Sequence, residues 1–403
     1  MQGKSLLFRL YLLLACLISV RSFNPSSLSK TKTRHINNMS AVREAGHLPE
    51  QLVVGYCNWE QCDDAVLQAV KDGVNTIIWF SVNLIEDENG SPVVQGGPDY
   101  ACVAAMVKEI RELGLDCTHL ISIGGWNSPH PATGNSAEVV FGALNKWNRE
   151  TIAIPALGFQ GFDGFDWDVE GNDDFDSKYN TFTVECVDLM GRISQLAKEH
   201  NYIVAMAPAE SYLDPGTSEF SLSLGFNHEE WEELAPGFNY RGRNIYAALL
   251  AKYGKSVVNS ESVDTFDFIT IQLYEGHSHA KYKIDEMGES VSKTLLDLAQ
   301  SLQSGWQVNF ESVPALDIPN QKIQIHNTKL VIGLANGWAG DHKFLLIYPE
   351  DIEIAHKSLV ENGVRPRGYA YWNMKDENIA SAKRPEQNVN MAKGLNVVLH
   401  TRP

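Results

Sequence analysis

The sequence predicts an α/β protein, a TIM (β/α)8 barrel. Three observations lead there. Eight short apolar runs rich in Val, Ile and Leu recur along the chain with little alternation, the way parallel strands covered on both faces read. Helical segments with recognisable starts and stops lie between them. The repeat fills roughly 350 residues, the size of one large barrel. An open doubly wound sheet is the other arrangement such alternation allows. No Gly-x-Gly-x-x-Gly follows the first run, which argues against a dinucleotide site.

The strands are expected at Leu52 to Cys57, Thr76 to Val82, Thr118 to Ile123, Phe162 to Val169, Tyr202 to Met206, Phe266 to Tyr274, Leu330 to Ala335 and Gly368 to Trp372. Helices are expected at Asp63 to Asp72, Tyr100 to Leu113 with its stop at Gly114, Asp176 to Glu199 after an Asp-rich start, Arg243 to Tyr253, Ser290 to Leu302, and Pro349 to Asn362. Pro349-Glu350-Asp351 supplies helix-start chemistry, because a first-turn proline forgoes no hydrogen bond and the acids face the positive helix end. Two connections stand out as loops. Val82 to Asp99 is rich in Gly and Pro. Ala209 to about Arg241 carries Tyr212, Phe220, Phe226, Trp231 and Phe238. A loop that long on a compact barrel is more often functional than idle.

The chemistry concentrates in Gly161-Phe162-Asp163-Gly164-Phe165-Asp166-Trp167-Asp168-Val169-Glu170. On a strand, alternate side chains share a face, so Asp166, Asp168 and Glu170 point one way and Phe165, Trp167 and Val169 the other. Partly desolvated carboxylates about 7 Å apart cannot all stay ionised, so at least one keeps its proton near neutral pH. A proton-holding carboxyl at a strand end is what a general acid needs. A calcium site is the other use for such acids, but calcium loops favour Gly and Asn between ligands, not Phe165 and Trp167.

The run resembles the Asp-Gly-x-Asp-x-Asp-x-Glu signature of the family 18 glycoside hydrolases, the chitinases and their relatives, complete here as Asp163 to Glu170. Ser122-Ile123-Gly124-Gly125, Met206-Ala207-Pro208, Tyr274 and Trp372 match further elements of that pattern, in order, at the ends of the third, fifth, sixth and eighth strands. The resemblance implies that Glu170 donates a proton to the glycosidic oxygen. It implies that Asp168 orients a substrate N-acetyl group whose carbonyl oxygen attacks the anomeric carbon, that Asp166 shares charge and proton with Asp168, and that Tyr274 hydrogen-bonds the attacking group. Trp372 becomes the floor beneath the sugar, with Tyr56, Trp59, Trp126 and Trp338 as outer stacking candidates. Gln272, Met206 and Gly125 complete the expected substrate-binding set, while Asp163 and Gly164 are expected to be structural.

Geometry supports this separately. Glycosidases that use two carboxyls place them on opposite sides of the bond. Asp168 and Glu170 project from the same side of one strand, so a nucleophile supplied by the substrate resolves the difficulty, and it requires a 2-acetamido sugar. Two departures from the family pattern matter. Glu275 stands where many relatives carry Asp or Asn, which keeps a conventional two-carboxylate mechanism open, and Gln272 stands where many carry Met. Ala335 to Gly368 is too short for the α+β insertion that many chitinases carry between strands seven and eight, so a shallower groove is expected.

The expected activity is cleavage of β-1,4-linked N-acetylglucosamine polymers. The alternatives are an endo-acting enzyme on N-linked glycans and a binding-only lectin on the same barrel. No cofactor is implied and no metal ligand set is found: His277 and His279 beside Glu275 lack helical ligand spacing. With 44% hydrophobic and 21% charged residues and a net charge of −17, the chain reads as an acidic globular protein. That argues against nucleic acid and anionic membranes as partners and suits a neutral polymer. A monomer without stable membrane insertion is expected.

Residues 1–22 read as a signal peptide: Lys4 and Arg9, then the apolar run Leu10 to Val20, then Val20-Arg21-Ser22. Residues 23–48 read as a disordered or targeting leader, and 49–403 as the catalytic barrel. Secretion is expected, or delivery to an organelle lumen such as a vacuole or plastid. Asn38-Met39-Ser40 and Asn89-Gly90-Ser91 are glycosylation acceptors on that route. Beyond Cys16, five cysteines remain (Cys57, Cys62, Cys102, Cys117 and Cys186), so at least one thiol is free or bonds another chain. Cys57 and Cys62 are near enough to bridge, though spacing alone does not pair them.

Overall fold

The computed structural model describes residues 48–226, 240–340 and 343–400. The signal-peptide and leader readings, the acceptor at Asn38, and Trp231 and Phe238 of the long loop lie outside the described residues.

Eight parallel strands close into a barrel: β1 (Leu52–Tyr56), β2 (Thr76–Glu86), β3 (Thr118–Gly125), β4 (Gly164–Val169), β5 (Ile203–Met206), β6 (Phe268–Gln272), β7 (Leu330–Ala335) and β8 (Gly368–Trp372). Each pairs with its sequence neighbour, and β8 returns to β1 with Trp372 opposite Tyr56. The helices α1 (Asp64–Asp72), α2 (Tyr100–Glu112), α3 (Ala137–Lys146), α4 (Val184–Glu199), α5 (Ala247–Tyr253), α6 (Val291–Ser304), α7 (Pro349–Glu361) and α8 (Met391–His400) follow the strands in turn.

The strand period of two sorts side chains into two cores. Leu52, Val54, Ile78, Leu120, Ile203, Ala205, Phe268, Val331 and Ala370 fill the barrel interior. Val53, Ile77, Ile121, Phe165, Trp167, Val204, Ile271 and Ile332 face outward into the larger core beneath the helices. Because both faces are buried, the strands carry few polar residues; of these, Asp168 and Gln272 stand at the carboxyl ends of β4 and β6. Gly164 lets β4 approach β5: a Cβ there would stand 1.9 Å from the Ile203 carbonyl oxygen.

Several sequence expectations shift. The fourth helix begins at Val184, capped by Thr183, not at Asp176. The side chains of Asn172, Asp174 and Ser177 accept hydrogen bonds from backbone N–H groups two residues on, and such local turns compete with helix. α5 begins at Ala247 because Arg243 and Asn244 adopt left-handed backbone angles, φ 48 and 58. The segment after Val82 is a hairpin instead of a loop: β2 continues to Glu86 and pairs antiparallel with Pro92–Gly96. Asp87 closes its turn by accepting from Asn89 and Ser91, and Asn89 is exposed. The disulfide joins Cys62 to Cys102. Cys57 does not pair with Cys62: directly after β1 it turns into the outer core, where it is buried and free.

Between β7 and α7 the described residues hold only a short helical turn at Gly337–Ala339, with no α+β insertion. In the long segment after β5, Tyr212 and Phe220 are core residues, and Gly225–Phe226 pairs with Tyr240–Arg241. Among the described residues no helix is long and apolar enough to cross a membrane.

Candidate active site

β4 delivers its three acids to the barrel mouth at successive depths. Asp166 is fully buried; its Oδ2 accepts from the Tyr56 hydroxyl at 3.0 Å, and its Oδ1 has no partner. Asp168 and Glu170 reach the cleft. The Nε2 of Gln272, at the end of β6, lies 2.9 Å from Asp168 Oδ1, 3.2 Å from Glu170 Oε1 and 2.5 Å from the Ala207 carbonyl oxygen. Tyr274, two residues on, donates its hydroxyl to Gln272 Oε1 at 3.0 Å. One carboxamide therefore ties together three of the four side chains expected to do the chemistry, Asp168, Glu170 and Tyr274.

The support beneath is rigid. The hydroxyl of Tyr246 donates to the Val169 carbonyl and accepts from the Val169 N–H, fixing the strand end that carries Glu170. Gly124, at φ 109, lets β3 lie against β4; a Cβ there would be 2.6 Å from the Asp168 carbonyl oxygen. Asp163 accepts from the His119 N–H at 2.9 Å and anchors the start of β4.

Burial governs the protonation states. Desolvation pushes the Asp166 carboxyl up to about 7, against the lowering effect of the Tyr56 hydrogen bond. Desolvation, then the charges of Asp166 and Glu275, raise Asp168 well above the usual carboxylate range. Glu170 rises likewise by desolvation and by the charges of Asp168 and Glu275, with Gln272 opposing. Glu275 is itself pushed up by burial to about 7, offset by Lys343. The site thus holds carboxylic acid protons at neutral pH, and a charge appearing on any one acid is felt by the others.

The cleft above has a volume of about 360 Å³. Trp372 lines it, packed edge-on by Phe80 at 4.6 Å, which in turn meets Trp59 at 4.5 Å. Gly125 makes room for this pair, since a Cβ would stand 2.6 Å from Phe80 and 2.8 Å from Trp59. Trp126 lines one side, its indole N–H held by Asp173 at 2.9 Å. Trp338 lines the other, donating to the Trp372 carbonyl at 2.7 Å and packing edge-on against Phe344. The Phe80–Ser81 and Trp372–Asn373 peptides are cis.

No protein-family model and no curated protein sequence matches the chain. Solved structures do. A fungal endo-β-N-acetylglucosaminidase from glycosyl hydrolase family 18 aligns over 88% of this chain and 99% of its own, with a TM-score of 0.50 and 14% identity. The fold is that of the family 18 glycoside hydrolases. A family 18 chitinase from Pseudoalteromonas aurantia aligns over 86% of this chain and 100% of its own (TM-score 0.48, 14% identity). Concanavalin B aligns over 87% and 99% (0.47, 13%).

On this family 18 fold, the cleft brings together Asp168, Glu170, Gln272, Tyr274 and Trp372, with Trp59, Trp126 and Trp338 around them. Two expectations change. Met206 does not reach the cleft: Ala205 and Ala207 take the inward positions of β5, and the period of two sends Met206 into the outer core. Tyr56 is no outer stacking platform. It is buried inside the barrel, where its hydroxyl serves Asp166. Phe80, Asp173, His277, Lys343 and Phe344 line the cleft without having been singled out for it by sequence. For Phe80 a signal existed, as it is an inward position near the end of an expected strand. Lys343 and Phe344 come from a connection with no motif.

Proposed function

We propose that this chain is a glycoside hydrolase that cleaves β-1,4 bonds next to N-acetylglucosamine in chitin or its oligomers, with retention, by substrate-assisted catalysis. The observation that carries the reading is the pair Asp168 and Glu170, on one face of one strand, bridged by a single amide at the base of an aromatic cleft. Glu170 protonates the leaving oxygen. Its burial keeps the proton available at neutral pH, and departure of the sugar leaves a carboxylate able to deprotonate water in the second step. Asp168, on the same side as the acid, takes the N–H of the 2-acetamido group. Tyr274 donates to its carbonyl, and that carbonyl oxygen attacks the anomeric carbon from the face opposite the leaving group. Trp372 offers an apolar plane to the sugar face.

Glu275 supports the conventional two-carboxylate route less well. It shares the cleft, but burial pushes its carboxyl up to about 7 despite Lys343, whereas a nucleophile or general base at neutral pH must be an ionised carboxylate. The proposal includes secretory entry, with a secreted or organelle-lumen destination and a monomeric state. The Cys62–Cys102 disulfide suits an oxidising compartment.

The test is Glu170→Gln assayed on chitin oligosaccharides with anomer-resolved product analysis. Turnover should fall by at least 10³-fold with oligosaccharide binding retained, and the wild-type first product should keep its configuration. Full turnover in the variant, or an inverted product, refutes the reading. Cleavage of a high-mannose glycoprotein but not of chitin oligomers would move the substrate to N-linked glycans. Binding without turnover in the wild type would make the protein a lectin.

A further inference from the structure

The Tyr274 hydroxyl donates to Oε1 of Gln272 at 3.0 Å, and Nε2 of the same side chain lies 2.9 Å from Asp168 Oδ1. A phenol has one proton to donate. While Gln272 holds it, no sugar carbonyl can. The mechanism above asks the same two groups to serve a substrate amide, Tyr274 for its carbonyl and Asp168 for its N–H. A glutamine carboxamide and a sugar acetamido group present the same C=O and N–H chemistry. Gln272 is buried, so these bonds are made away from bulk water.

The rest of the network makes an exchange feasible. Gln272 Nε2 carries two protons and faces three acceptors: Asp168, Glu170 at 3.2 Å and the Ala207 carbonyl at 2.5 Å. When another N–H takes over Asp168, the amide protons of Gln272 still have two acceptors. Only the Tyr274 bond is forfeited outright.

We propose that Gln272 is a positioning residue that stands in for the substrate's acetamido group, so that sugar binding exchanges one amide for another. The inference rests on the substrate-assisted reading of the site. Asp168 and Tyr274 are engaged by an amide of the protein itself, and every N-acetylated ligand must displace that internal competitor.

The experiment uses the Glu170→Gln protein, which binds without turnover, and measures affinity by calorimetry for an N-acetylglucosamine oligomer and a glucosamine oligomer of equal length. Gln272→Met removes the competing amide at similar volume. It should tighten the N-acetylated oligomer about five-fold, the equivalent of one displaced hydrogen bond, and leave the glucosamine oligomer unchanged. Gln272→Asn, which withdraws the amide by one methylene, should act in the same direction and serves if Gln272→Met does not fold. Removing the Tyr274 hydroxyl as well, by Tyr274→Phe, should abolish the gain. Equal weakening of both ligands makes Gln272 a mere scaffold and overturns the proposal. Weakening of the N-acetylated ligand alone makes it a direct substrate contact and does the same. Failure of the Glu170→Gln protein with Gln272 intact to bind the N-acetylated oligomer sinks the glycosidase reading itself.

Discussion

Asp166 offers a way to measure what the cleft costs the fold. Its carboxyl sits inside the barrel with one oxygen served by Tyr56 and the other by nothing. Desolvation raises it from 3.8 to about 7. Between those values the unfolded chain has already released the proton while the native chain keeps it. The native state therefore binds more protons, and stability falls as pH rises through this window. With these two values, the carboxyl favours unfolding by about 4 kcal/mol at pH 7 and by about 0.6 kcal/mol at pH 4. Asp166→Asn keeps an oxygen for the Tyr56 hydroxyl and cannot ionise. Ser122, directly across on β3, has a buried hydroxyl without a partner that can meet the new amide.

The variant should therefore gain about 3 kcal/mol on the wild type between pH 4 and pH 7. Asp168 adds to this with the same sign, because the Asp166 charge helps to raise it. Urea unfolding of both proteins at pH 4, 5, 6 and 7 measures the difference directly, and titrations elsewhere in the chain cancel. A difference that does not change with pH, or a variant that loses ground as pH rises, refutes the argument that burial dominates this group.

Other outcomes follow from the same structure. Glu275→Gln removes a negative charge that opposes ionisation of Glu170; the alkaline limb of the activity–pH profile should move to lower pH, and an unmoved or upward-shifted limb contradicts the coupling. Gly164→Ala drives a Cβ into the Ile203 backbone and should cost about 3 kcal/mol. Gly142→Ala, at a helix position with open space around it, should gain about 0.5–1 kcal/mol; denaturant melts that fail to separate the two would discredit the β4–β5 packing. Cys62→Ser opens a loop whose ends are 40 residues apart and should lower stability by about 4 kcal/mol by chain entropy. A melt unchanged by the substitution, and by reductant, would mean that the disulfide does not form.

Much of the site was legible in the chain because it lies on local pattern. A strand's period of two puts Asp166, Asp168 and Glu170 on one face whatever surrounds them, and their placement on an apolar run already implied raised protonation. The eight strands were legible for a related reason: burial on both faces demands uninterrupted apolar runs. Met206 was misplaced because a motif match ignores phase, and the same period of two that aims Asp168 inward turns Met206 outward. The helix starts at Val184 and Ala247 were hidden by side-chain turns and left-handed residues, which propensity does not weigh.

What the amino-acid order determined alone was the barrel and the row of acids on its fourth strand, since both follow from periodicity between near neighbours. What only the folded chain decided was who meets those acids: Gln272 joined to Asp168 across 104 positions, Tyr56 to Asp166 across 110, and Cys62 to Cys102 across 40. Such encounters depend on how a closed sheet brings distant strand ends to one rim, and no local pattern encodes a distance through space.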